Sequence, residues 1–186
     1  MKRLTRIALA LLIALLVSFP IYAQQVQEIT RGTAGVGRML VGLGTQGAAT
    51  LVNARTTLTN AQVLLLGTTG VTVAAAPGAG YFIDVIDGVG VFDYTGAYTA
   101  GAGVDLKLFY SSRTAGNAAS NTIETTGWLD ATEDKIIAFS GTPDDTIPSV
   151  NTAVVIQGIS ATNLGGGNAS NRVHIDVTYM IRRTGL

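Results

Sequence analysis

Cysteine is absent from this chain of 186 residues, and histidine occurs once. The first absence excludes disulfide staples, a lipid-modified cysteine anchor and any His/Cys zinc site built within one chain. With His174 as the only imidazole, a Ser-His-Asp relay has a single available base. Ser160, Ser170 and Asp176 are its nearest partners in sequence, but nothing around them reads as a nucleophile elbow. No Gly-Lys-Ser/Thr follows any glycine-rich stretch, which excludes a phosphate loop, and the GxG spacings at Gly35/Gly37 and Gly42/Gly44 sit in no βαβ unit. Glycosidase chemistry asks for two carboxylates flanking a cleft, and no pair stands out. The chain reads as non-enzymatic.

Charge is also scarce, at 13% of residues and without a run of either sign. Its distribution is uneven at the start. Lys2, Arg3 and Arg6 precede an uninterrupted apolar run from Ile7 to Val17, and Phe19-Pro20-Ile21-Tyr22-Ala23 ends on a small residue. That order predicts a secretory signal peptide over residues 1–23, cleaved near Ala23. An uncleaved anchor is the competing reading, but a spanning helix needs about 20 apolar residues, and Pro20 interrupts this one. The mature protein is expected to be secreted, extracellular or at the cell surface, with the periplasm as a further location, and to hold no membrane contact once the leader is removed. Three of the 12 basic residues leave with the leader, so nine remain against 12 acidic ones, a net charge of −3. This balance argues against nucleic acid as a partner. Removing 23 of 186 residues leaves 163, enough for one domain with a core.

What is abundant points to strands. Twenty-three glycines and many threonines punctuate short Val/Ile/Leu/Phe/Tyr runs, a composition that predicts an all-β protein. From Val173 to Ile181, every second residue is apolar, with His174, Asp176 and Thr178 between them. Such alternation marks a strand with one face in a core. Residues 104–110 alternate in the same way. Further strands are expected at 62–66, 71–75, 81–86, 89–94, 135–140 and 153–158. Glycine-rich turns separate them, at 67–70, 77–80, 101–103 and 165–168. Asp87-Gly88 reads either as a hairpin turn or as a glycine bulge within one long strand. About eight short strands suggest a single jelly-roll-like β-sandwich over residues 58–186. Residues 24–57 are glycine-rich with weak periodicity and read as an extended arm or a pair of edge strands. A terminus without fixed structure is the plain alternative; addition of the arm to a neighbouring subunit's sheet is the sharper one.

Few residues suggest ligands, and no cofactor is expected. Calcium is the one ion the composition would accommodate, through carboxylates in loops. Asp130, Glu133 and Asp134 could supply three ligands, and Asp144 and Asp145 form a second acidic pair, although neither spacing matches an EF-hand. Solvated acidic turns explain both equally simply. Trp128, the only tryptophan, lies beside a turn, where it either stacks on a sugar or caps a core. Tyr94 and Tyr98, flanking Gly96, carry the same two readings. Asn168-Ala169-Ser170 fits the glycosylation triplet.

Leu58-Thr59-Asn60-Ala61-Gln62-Val63-Leu64, then Ala75-Ala76-Pro77-Gly78-Ala79-Gly80-Tyr81, then residues 98–106, Asn121-Thr122-Ile123 and Trp128-Leu129-Asp130-Ala131-Thr132 occur here in order. Together, over residues 58–181, they resemble small jelly-roll-like β-sandwich structural proteins of bacteriophage and prophage virions. The resemblance implies a structural subunit that multimerises and brings no catalytic residues. The leader departs from that pattern, because virion proteins assemble in the cytoplasm. The expected function is therefore an exported, self-assembling homo-oligomeric subunit of a filament, coat or surface layer. A secreted glycan-binding module, with or without calcium, and a phage decoration or fibre protein are the alternatives.

Overall fold

The computed structural model describes residues 37–40, 50–99, 104–115, 117–142 and 150–184. The expected leader, the Asp144/Asp145 pair, the turn at 101–103 and most of the expected arm lie outside them.

Among the described residues there are ten strands, one short α-helix and a single 3-10 turn at Arg113–Ala115. The strands and the α-helix are β1 (Gly37–Leu40), β2 (Thr50–Thr59), α1 (Asn60–Leu64), β3 (Val71–Ala74), β4 (Tyr81–Asp93), β5 (Tyr98–Thr99), β6 (Leu106–Tyr110), β7 (Lys135–Ser140), β8 (Val154–Gly158), β9 (Gly165–Gly166) and β10 (Arg172–Arg183). One sheet has the order β1-β2-β10-β4-β7 and a second the order β3-β8-β6, with β5 and β9 forming a small pair. Every pairing is antiparallel. Residues 117–123 run beside β6 through isolated bridges, Leu106 to Ile123 and Phe109 to Ala118. Counting that segment, the chain passes back and forth between a β2-β10-β4-β7 sheet and a β3-β8-β6 sheet that the segment extends to four. This is the strand order of a jelly roll, and the protein is an all-β sandwich as its composition predicts.

The central strand, β10, pairs with β4 along its whole length and with β2 from Arg172 to Ile181. Val173, Ile175, Val177 and Tyr179 are buried, which is the face the alternation assigns to the core. They meet Leu106, Leu108 and Ile156 of the second sheet in one apolar cluster. Burying such side chains contributes roughly 1.5–3 kcal/mol each, so the seam between the sheets carries most of the stability.

The structure decides three local readings. Residues 62–66 do not form a strand; residues 60–64 are helical instead. Thr59 accepts from the Gln62 backbone N–H while the Gln62 side chain accepts from the Thr59 N–H, a capping box that starts a helix. Of the two readings of Asp87-Gly88 the single strand holds: Tyr81 to Asp93 is one long strand, with its bulge at Ile86 rather than at the glycine. Thr178 pairs with Asp87 and Tyr179 with Val85, so Ile86 is the extra residue. Its carbonyl accepts the Gly141 N–H at 2.7 Å. Finally, the sandwich already includes Thr50–Thr57, which the sequence groups with the arm. Those residues pair with β10 in unbroken register, Thr50 with Ile181 through Thr57 with His174. An inward face of Val52, Ala54, Thr56 and Leu58 hides the alternation, because two of the four side chains are small or polar.

Candidate functional site

The connections after β2, after β4, before β7 and after β8 gather at one end of the sandwich, and Tyr94, Tyr98, Trp128, Asp130, Glu133 and Asp134 sit there. Trp128 and Tyr98 are each only 2% exposed, so neither ring offers a face to a sugar; both act as core. Phe92 packs on Tyr98 with centroids 5.6 Å apart and meets the half-buried Tyr94 edge-on at 5.9 Å. Such ring pairs stabilise beyond their buried area. The indole Nε1 of Trp128 and the Tyr98 hydroxyl are buried without a hydrogen-bond partner, so it is packing that holds both rings.

Burial pushes the Tyr98 phenol upward from its usual value of 10.0, against smaller opposing pulls from the Asn171 amide and the Arg172 charge. The native state therefore keeps a proton that the unfolded chain releases at alkaline pH. The resulting stability is complete below about pH 10 and is lost as pH rises through the native value. Tyr98→Phe should leave stability at pH 8 nearly unchanged, since the hydroxyl makes no hydrogen bond of good geometry, only a weak polar approach to the Asn171 amide. It should flatten the fall of the urea midpoint between pH 9 and 11, and an alkaline slope equal to the parent's would contradict the buried phenol.

The three acids that could supply calcium ligands do not converge. Asp130 accepts from the Gly127 N–H, Asp134 from the Tyr94 N–H at 2.8 Å, and Glu133 from Lys135 Nζ at 2.6 Å. Lys135 also pulls the Glu133 carboxyl below its usual range. Each carboxylate is committed to its own protein partner, and no cluster of three or more His, Asp or Glu suited to a metal occurs among the described residues. His174 and Asp176 are likewise engaged with other partners. Thr57 Oγ1 lies 2.9 Å from His174 Nδ1, and Arg55 takes both Asp176 oxygens at 2.7 Å. A shallow groove of about 360 Å³ beside α1 is lined by Ala61, Leu65, Val71 and Thr72 among others, with no titratable side chain.

The feature that sequence reading missed is the outer face of the five-stranded sheet. Register divides it into two halves. Toward β2, cross-strand pairs form a polar ladder: Thr57 with His174, Arg55 with Asp176, and Asn53 with Thr178 at 2.7 Å. Opposite pairs of this kind fix register more than they add stability. Toward β7 the face turns apolar. Val91 stands opposite Ile136, and Val89 opposite Ala138. Ile136 is 71% exposed and Ala138 is exposed too. β7 is also the last strand of its sheet. The signal was present in Lys135-Ile136-Ile137-Ala138-Phe139, but alternation alone does not say which isoleucine faces water; the buried Phe139 decides it.

No protein-family model matches the chain, and no curated protein matches it. Among solved structures it is similar to a chain of the cyanophage Pam1 capsid asymmetric unit, at 20% identity and a TM-score of 0.38, covering 75% of this chain and 89% of that one. A likeness of that degree does not bear on function.

Proposed function

We propose that this chain is a non-enzymatic structural subunit, exported from the cytoplasm, that self-assembles into a filament, coat or surface layer. The observation that carries the reading is the apolar half-face of Val89, Val91, Ile136 and Ala138 at the margin of a sheet. A large aliphatic side chain left 71% exposed beside other apolar residues is a feature of association sites. The sequence resemblance to virion structural subunits points the same way. Glycan binding would have to rest on Tyr94, the one of the three aromatics that is not buried.

The chain, expressed from residue 1 and purified after export, is expected to begin at Gln24 by intact mass. In sedimentation velocity it should form larger species as concentration rises, with ordered particles visible by electron microscopy. A monomer at every concentration would remove the assembly reading; a monomer that also binds a glycan array would replace it with the lectin-like one. Retention of Met1 would remove the cleaved leader. Recovery inside phage particles would favour the decoration or fibre protein.

A further inference from the structure

We propose that the β7 edge is a two-fold interface that joins the sheets of two copies of this chain, with the axis at Ile137. This rests on the assembly reading and names the surface. The backbone groups of β7 point alternately toward β4 and away from it. Ser140 donates its N–H to Asn121 Oδ1 at 3.0 Å and accepts the Asn121 N–H at 3.0 Å, while the next residue, Gly141, donates inward to Ile86. Peptide groups alternate sides along an antiparallel strand. Those of Ile136 and Ala138 therefore point the same way as Ser140's, away from β4. Among the described residues no strand lies on that side of β7, so two donors and two acceptors face outward from Ile136 and Ala138.

That edge is complementary to itself. A two-fold axis at Ile137 sets Ile136 opposite Ala138 of the second copy, and Ala138 opposite Ile136 of the second copy. Both become hydrogen-bonded pairs, in which opposed residues exchange N–H and C=O. Their side chains share the outer face, so the apolar half-face of each copy continues into the other's, Val89 and Val91 included. An axis placed between two residues would instead oppose an outward side chain to an inward one.

Charge does not oppose the contact. Lys135 is the only charged residue of β7, and Glu133 holds its ammonium at 2.6 Å. The Asn121 cap on Ser140 ends the free edge, which limits the ladder to residues 135–139. A second copy fits better than an unrelated strand, because the matching donors, acceptors and side chains all come from these five residues.

The register is testable because the chain has no cysteine. Hydrogen-bonded antiparallel pairs bring Cα atoms to about 5.5 Å, within disulfide reach, whereas residues offset by two positions lie about 7–8 Å apart. Ile136→Cys and Ala138→Cys are made separately in the full chain. On mild oxidation, an equal mixture should give a covalent dimer, and each variant alone should not. Ala138→Pro should weaken dimerisation about tenfold or more, because symmetry deletes the donor twice. An outward-pointing N–H is the place where a strand tolerates proline. Ile136→Lys, at a solvent-exposed side chain, provides a second variant if the proline perturbs the fold, as read by the urea midpoint. If the parent associates but the mixture fails to cross-link, or a single variant cross-links with itself, the β7 interface is wrong and the assembly reading stands. If the parent never associates, the assembly reading falls first and the interface with it.

Discussion

Trp128→Ala is expected to destabilise the protein by about 3–5 kcal/mol, the cost of emptying a large aromatic site in a packed core. Single domains are stable by roughly 5–15 kcal/mol, so the variant would lose a large share of its stability. The indole makes no hydrogen bond through Nε1, and the effect should come from packing alone. It caps the core at the loop end, where the Thr125 carbonyl accepts its backbone N–H and the Leu129 carbonyl accepts from Tyr98. Truncation therefore opens a cavity under two chain segments at once. Urea unfolding followed by circular dichroism measures the loss, since the variant has no tryptophan to fluoresce. A change below about 1 kcal/mol would mean that the ring is not core.

Gly90→Val should cost about 1–3 kcal/mol or more, the range for forcing extra volume into a filled core. A Cβ at Gly90 would stand 2.4 Å from Trp128 Cζ2 and 3.0 Å from Ile137 Cγ2, so the indole occupies the space a side chain would need. Gly88 is tight for a different reason, with Phe139 Cζ at 2.2 Å and the Asp176 carbonyl oxygen at 2.6 Å. The two positions should therefore respond differently in double-mutant cycles. Gly90→Ala should cost clearly less in a Trp128→Ala background, because its main obstacle is a side chain. Gly88→Ala should remain costly beside Phe139→Ala, because backbone stays in the way. Equal behaviour at both sites would refute this division.

These contacts mark the limit of what the sequence makes legible. Alternation finds β10 and β6 because one face of each is apolar throughout or nearly so, and β7 reads as a strand from its short apolar run. It misses β2, where Ala54 and Thr56 stand inward between Val52 and Leu58, since partners on both sides hold that strand and large inward side chains are not needed at every position. The helix at 60–64 was readable from Thr59 and Gln62 at capping-box spacing, but a run of Val63 to Leu66 resembles a strand by composition. Gly88 reads as a turn or bulge residue and Gly90 falls within an expected strand with no role of its own; in the fold they leave room on that strand for two aromatic rings contributed from elsewhere in the chain. Sequence singled out Trp128, Tyr94 and Tyr98 by residue type. The exposed strip around Ile136 emerges only from register, because its members come from two strands more than 40 positions apart.

The central position of β10 also bears on when the protein can fold. β2 has β10 as its long partner, and the Arg55–Asp176 pair between them spans 121 residues. β4 likewise has β10 along its full length. Until residues 172–183 have been synthesised, the two longest early strands lack the partner that joins them, and pairings this distant in sequence form slowly. The nascent chain therefore leaves the ribosome without its main sheet. An unfolded chain is the form that a narrow translocation channel admits, so this topology suits the export proposed above, because it delays folding until the last long strand is made.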